Sequence, residues 1–262
     1  MELDKIINSV IDISKQAGGF IREQRKTFSA DKIELKGLND LVSYVDKTAE
    51  EIIVKALVKV LPEAGFLTEE KTINKTGERY NWIIDPLDGT TNFIHGLPVF
   101  SVSIALQEYD ELVLGVVYEV NMDECFYAWK GSPAYMNGNI IKASDTPTID
   151  KSLLATGFPY YDFTKQPAYI ALFTELMKNC HGLRRLGSAA VDLAYTACGR
   201  FDAFYEYNLN PWDVAAGIVI VRQAGGQVVN FKGGDEILNS RELLATNGKI
   251  TVEMLEVIEK YF

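Results

Sequence analysis

Residues 85–92 read Asp-Pro-Leu-Asp-Gly-Thr-Thr-Asn, directly after the apolar run Trp-Ile-Ile at 82–84. Pro86 presets a turn and Gly89 lets the chain bend tightly, with Asp88 inside the bend. Asp85 and Asp88, three residues apart at the mouth of a strand, can point at one spot. Two close carboxylates repel, so that spot is costly unless a cation fills it. Ligands that are all oxygen suit a hard ion, and Mg²⁺ is the usual one. Gly89-Thr90-Thr91-Asn92 then offers hydroxyls and backbone N–H groups, and a helical turn starting there would be a ready anion site. Metal and anion side by side read as phosphoryl chemistry. By itself Asp-x-x-Asp-Gly is an ordinary turn, so other residues must carry the argument.

Further acids stand at element ends. Glu69 and Glu70 close a short apolar stretch and on composition alone are an acidic loop. Asp46 opens an apolar-periodic run at 46–60, where an N-cap belongs, and Asp213 opens another behind Pro211-Trp212. Glu206 ends a strand and reads equally well as a surface acid. His95 and His181 are expected to be structural or solvent-facing, and no Walker loop, G-x-G-x-x-G or zinc pattern is present. Haloacid-dehalogenase phosphatases carry Asp-x-Asp-Gly-Thr after an apolar strand. The Asp-x-x-Asp spacing here differs by one residue, which turns a side chain to the other side of extended backbone.

Taken whole, Trp82-Ile-Ile-Asp-Pro-Leu-Asp-Gly-Thr-Thr-Asn-Phe93 resembles the first signature of the inositol monophosphatase family of Mg²⁺-dependent phosphatases. Trp212-Asp-Val-Ala-Ala-Gly-Ile-Val-Ile-Val-Arg-Gln-Ala-Gly-Gly226 resembles its second. The resemblance implies that Glu69, Asp85 and the Leu87 carbonyl bind one Mg²⁺, and that Asp85, Asp88 and Asp213 bind another. Room for a third ion near Glu69 is implied too. Glu70 would stand behind Glu69. Thr68 occupies the place of a family glycine beside these acids. Asp46 would pair with Thr90 to orient the attacking water. Backbone N–H groups of Gly89, Thr90 and Thr91, with Lys36, would hold phosphate. Gly187, Ser188, Ala189, Glu206, Asp88 and Asp213 would line the substrate side. The implied substrate is a small phosphorylated polyol or sugar, inositol monophosphate first. Fructose 1,6-bisphosphate, 3′-phosphoadenosine 5′-phosphate, histidinol phosphate and NADP are alternatives within the same superfamily. The resemblance also implies a five-layer α-β-α-β-α sandwich of the sugar phosphatase type, commonly a homodimer, and inhibition by Li⁺. Some bacterial relatives contact the transcription machinery, so a regulatory binding protein is the alternative of another class.

The elements that must hold these residues are legible in outline. At 262 residues the chain can bury a large core as one domain or two, and 47% apolar with 24% charged residues is ordinary for a globular protein. A net charge of −10 argues against nonspecific nucleic-acid or anionic-membrane binding, so bound cations must draw in an anionic substrate. Cys125, Cys180 and Cys198 are odd in number and widely spaced, which fits a reducing cytoplasm better than a disulfide framework. No signal peptide or spanning apolar run is read, and no membrane or nucleic-acid partner is expected. Amphipathic helices are expected at 2–27 and 46–60, with Ala17-Gly18-Gly19 allowing close packing. Strands at 82–84, 99–106, 112–118 and 124–129 suggest an antiparallel sheet under those helices. Residues 131–138 read as turn-rich, and a boundary divides 1–146 from 147–262. The second half alternates strand and helix, an α/β pattern.

Overall fold

A computed structural model describes residues 2–29, 33–37, 40–159 and 162–262; of 33–37, 40 and 41 it describes the backbone alone. The outermost helix, α1 (Leu3–Thr27), buries Ile7, Val10, Ile13, Ala17 and Ile21, a stripe three and four residues apart. Gly18 sits in the same stripe. A Cβ there would lie 2.4 Å from the ring of Tyr118, so only glycine admits the sheet beneath. A ribbon of β1 (Ile33–Gly37) and β2 (Asp40–Ser43) leads into α2 (Tyr44–Val60).

The first sheet has seven strands in chain order: β3 (Gly65–Thr68), β4 (Tyr80–Asp88), β5 (Ser101–Glu108), β6 (Glu111–Glu119), β7 (Glu124–Trp129), β8 (Ala134–Met136) and β9 (Asn139–Ile141). All neighbours are antiparallel except β3 and β4, which run parallel. The expected antiparallel sheet is therefore mixed at one edge, because the stretch from 69 to 79 returns the chain to the same end. The stretch expected to be turn-rich folds as the β8–β9 hairpin. Asn137 and Gly138 both take positive φ (48° and 83°), the pair of conformations a tight two-residue hairpin turn requires.

The second sheet is ordered β11-β10-β12-β14-β13, with β10 (Leu153–Thr156), β11 (Gly182–Arg184), β12 (Ala203–Tyr207), β13 (Gln227–Val229) and β14 (Glu242–Thr246). β12, β14 and β13 pair antiparallel and the rest parallel. Between the sheets lie α5 (Ala189–Ala197) and α6 (Pro211–Gln223); α4 (Gln166–Asn179) and α8 (Thr251–Ile258) cover the far face. The five layers are α1 and α2, the seven-stranded sheet, α5 and α6, the five-stranded sheet, and α4 and α8. Short helices α3 (Thr90–His95) and α7 (Ile237–Ser240) complete the chain. Trp82 is fully buried in the outer core, where truncation to alanine costs about 3–5 kcal/mol.

α6 is the central element. A Cβ at Gly115 of β6 would lie 2.3 Å from the Ala216 carbonyl, and one at Gly217 would lie 2.5 Å from Leu193 of α5. Small residues on both sides let α6 press against sheet and helix at once, which fixes where its first turn points.

Candidate active site

β4 ends at Asp88 with its register against β5 shifted between Asp85 and Asp88, so the strand leaves the ladder where the two acids sit. Gly89 follows at φ 97° and α3 begins. The first backbone N–H groups of a helix have no intrahelical partner, so those of residues 90–92 face outward. Asn92 donates to Val99 O at 2.7 Å and to Leu186 O at 2.8 Å. This one amide joins the turn to the loop before α5.

Gly89, Thr90 and Thr91 line a cavity of about 450 Å³ together with Glu69, Asp85, Leu87, Asp88, Gly187, Ser188, Ala189, Glu206 and Asp213. Residues from both sheets and from the central helices thus meet at one opening. Two predicted site residues stand elsewhere and a third is not placed. Asp46 sits behind Thr90, whose Oγ1 donates to Asp46 Oδ1 at 2.8 Å and lies 3.0 Å from the Leu87 carbonyl. Glu70 is held behind the wall, its N–H donating to Glu50 Oε2 at 2.8 Å. The side chain of Lys36 lies outside the described residues. His95 and His181 are exposed and line no part of this cavity.

Neither Asp46 nor Asp213 is the N-cap expected of it. Ser43 caps α2, and Asp46, three residues on, accepts from the Ser43 N–H at 2.8 Å and the Ser43 hydroxyl at 2.7 Å. Asn210 caps α6, and Asp213 Oδ2 accepts from the Asn210 N–H at 2.7 Å. Both aspartates are the reciprocal partner of a capping box. An apolar-periodicity reading starts each helix too late because the first turn carries the polar residues.

The acids are crowded. Asp85 is 3% exposed, accepts from the Leu87 N–H at 2.9 Å and shares a hydrogen bond with Glu69. Burial, then repulsion from Glu69, Asp88 and Asp213, holds its carboxyl well above the usual range. Burial pushes Asp88 up to about 6, against hydrogen bonds to Oδ2 from Ser188 Oγ (2.6 Å) and the Ala190 N–H (2.7 Å). Burial pushes Asp213 up to about 7, with Asp88 adding to it. Among the described residues no three His, Cys, Asp or Glu side chains are drawn into a ready coordination shell. The donor set nevertheless fits a hard cation. It is all oxygen, and its carboxylates raise one another's pKa, a repulsion that a positive ion relieves.

Several residues at the site escaped the sequence reading. Glu50, fully buried on α2, accepts from Thr68 Oγ1 at 2.8 Å, from the Glu70 N–H, and from the Thr72 N–H and hydroxyl at 2.7 Å each. It anchors the loop that presents Glu69, and Thr68 serves as one of its donors. Arg185, Asp192 and Asn208 line the cavity beside Glu206. Asp192 did leave a signal: it is the lone charge in Ala-Ala-Val-Asp-Leu-Ala.

The family model described as the inositol monophosphatase family matches residues 2–261. An inositol-1-monophosphatase of Mesorhizobium japonicum is 36% identical over 261 residues, covering 99% of this chain and 98% of the relative. The Nus factor SuhB of Escherichia coli is 40% identical over 251 residues, covering 95% and 94%. A crystal structure of the extragenic suppressor protein suhB from Bartonella henselae superposes with a TM-score of 0.92 at 37% identity, covering 98% of this chain and all of that one. The chain belongs to the inositol monophosphatase family, a family of phosphatases that generally depend on a metal ion.

Proposed function

We propose that this protein hydrolyses a small phosphomonoester, inositol monophosphate foremost, with two Mg²⁺ ions and in-line attack by water. The observation that carries the reading is the meeting of Glu69, Asp85, Asp88 and Asp213 in one cavity with the Thr90–Asp46 hydrogen bond at its wall. Glu69, Asp85 and the Leu87 carbonyl would hold one ion, and Asp85, Asp88 and Asp213 would hold the other. Bound Mg²⁺ supplies Lewis-acid polarisation of the phosphate and a lowered pKa for water.

The remaining work falls to the chain. Thr90 donates its hydroxyl hydrogen bond to the Asp46 carboxylate, the stronger of its two acceptors, which leaves its lone pairs to orient the attacking water. Backbone N–H groups of Gly89, Thr90 and Thr91 take phosphate oxygens. Ser188 and the Ala190 N–H fix Asp88, and Glu206 meets the hydroxyls of the leaving group. The test is phosphate release from inositol 1-phosphate, fructose 1,6-bisphosphate, 3′-phosphoadenosine 5′-phosphate, histidinol phosphate and NADP, with Mg²⁺ and with EDTA. Mg²⁺-dependent turnover of inositol 1-phosphate above the others is expected. Preference for another ester would move the substrate and keep the chemistry.

A second reading rests on the relatives named Nus factor SuhB: a role in binding the transcription machinery, beside catalysis or in its place. Co-elution of the folded protein with purified RNA polymerase at physiological salt would establish it, and phosphate release from none of the esters would put it in place of catalysis.

A further inference from the structure

Two residues of the cavity wall each carry a buried polar atom with no hydrogen-bond partner among the described residues. Asp192 is 1% exposed, and its Oδ1 is buried with nothing to accept from. Asn208, at positive φ (67°) between β12 and α6, buries Nδ2 with nothing to donate to. Both line the cavity described above, as does Glu206, two residues from Asn208. Buried polar groups are nearly always paired, because an unpaired one forfeits its hydration for nothing. An orphaned acceptor and an orphaned donor on one cavity wall therefore point to a ligand that supplies the complement of each.

We propose that Asp192 and Asn208 are specificity-determining residues for a neutral, hydroxyl-bearing leaving group: the Asp192 carboxylate accepts from one substrate hydroxyl and the Asn208 amide donates to another, each side chain turning its orphaned atom to the cavity as the ligand enters. The proposal rests on the phosphomonoesterase reading and adds the residues that would choose its alcohol. Burial, then Glu206 and Asp88, raises the Asp192 carboxyl against the opposing Arg185, so a neutral group suits this end better than a second anion. An ammonium would suit the carboxylates but leave the Asn208 donor unmet. A hydroxyl donates and accepts, and so satisfies both. The wall is shaped for such a group. A Cβ at Gly157 would lie 1.9 Å from the Glu206 carboxylate, so glycine there keeps the acid inside the cavity.

The experiment compares wild type with Asp192→Ala, Asp192→Asn and Asn208→Ala. The first readout is the ratio of kcat/KM on myo-inositol 1-phosphate to kcat/KM on 4-nitrophenyl phosphate, whose leaving group bears no further hydroxyl. Asp192→Ala should lower that ratio roughly 10- to 100-fold, the range for losing a hydrogen bond to a charged group. Asp192→Asn, which keeps an acceptor oxygen, should restore part of it, and Asn208→Ala should lower it several-fold. Thermal midpoints of both Asp192 variants should equal or exceed wild type, because an unpaired buried carboxylate is a burden to the fold. Free myo-inositol binding, read by saturation-transfer NMR, should weaken in Asp192→Ala. A ratio within twofold of wild type, or a lower midpoint in both Asp192 variants, overturns the proposal and makes Asp192 structural. If wild type hydrolyses neither ester, the hydrolase reading falls, and loss or survival of inositol binding in Asp192→Ala still decides the subsite.

Discussion

α2 and α6 begin alike and end up in different trades. Each starts with a polar cap, and each has an aspartate three residues on that takes the cap's backbone N–H, at 2.8 Å in α2 and 2.7 Å in α6. In α2 the second oxygen of Asp46 is spoken for by Thr90, and Glu50, one turn on, grips the loop from Thr68 to Thr72. Neither acid reaches the cavity, so α2 works through other residues. In α6 the aspartate itself lines the cavity, among acids that repel it. The capping chemistry is the same. What differs is the neighbour of the second oxygen, a hydroxyl in one helix and other carboxylates in the other. A cap position therefore says nothing of function until the opposing surface is known.

That comparison can be broken by mutation. The largest effect is expected at Asp213→Asn. The amide keeps an oxygen for the Asn210 N–H, so folding should survive, while kcat/KM should fall roughly 10²–10³-fold and the rise in thermal midpoint on adding Mg²⁺ should shrink. Unchanged turnover and an undiminished Mg²⁺ response would remove Asp213 from the ligand set. Asp46→Asn should instead lower kcat about 10- to 100-fold while Mg²⁺ affinity, measured by calorimetry, stays near wild type. Equal loss of Mg²⁺ binding in the two variants would erase the distinction between the helices. Smaller still, Glu50→Gln should weaken Mg²⁺ binding about tenfold by loosening the segment that carries Glu69, with phosphate-release kinetics at saturating Mg²⁺ recovering most of the rate.

The smallest effect is a pH slope. Burial raises Asp213 to about 7 and Asp88 to about 6 from an ordinary 3.8. Between those values the folded chain holds protons that the unfolded chain has released, so this contribution to stability is present below about pH 4 and lost as pH rises through 6 and 7. In EDTA the wild-type midpoint should fall over pH 5.5–7.5 relative to Asp213→Asn, and added Mg²⁺ should cancel the difference. Parallel curves for the two proteins would mean that Asp213 is already ionised at pH 5.5.

Much of the site was legible because its residues are close in sequence. The Asp85–Asp88 turn, the glycine that permits it and the small face of α6 are consecutive residues whose conformations are set by their own side chains. Long amphipathic helices and the central strands were legible for the same reason. The hairpin at β8–β9 was not, since three-residue strands are too short for a period to register. The parallel edge at β3 depends on where an irregular stretch brings the chain back.

What the sequence by itself determined is the chemistry on offer: acids at element ends, a hydroxyl-rich turn, and motifs shared with a phosphatase family, which also implied the Thr90–Asp46 pair. Tertiary structure alone decided who satisfies whom. Ser188 meets Asp88 across 100 residues, Glu50 gathers donors from a loop about 20 residues away, and Asp192 Oδ1 and Asn208 Nδ2 are left without partners among the described residues. The physical reason is that a buried polar group must be paired or held for a ligand, and its pairing is fixed by which segments the packed layers bring together.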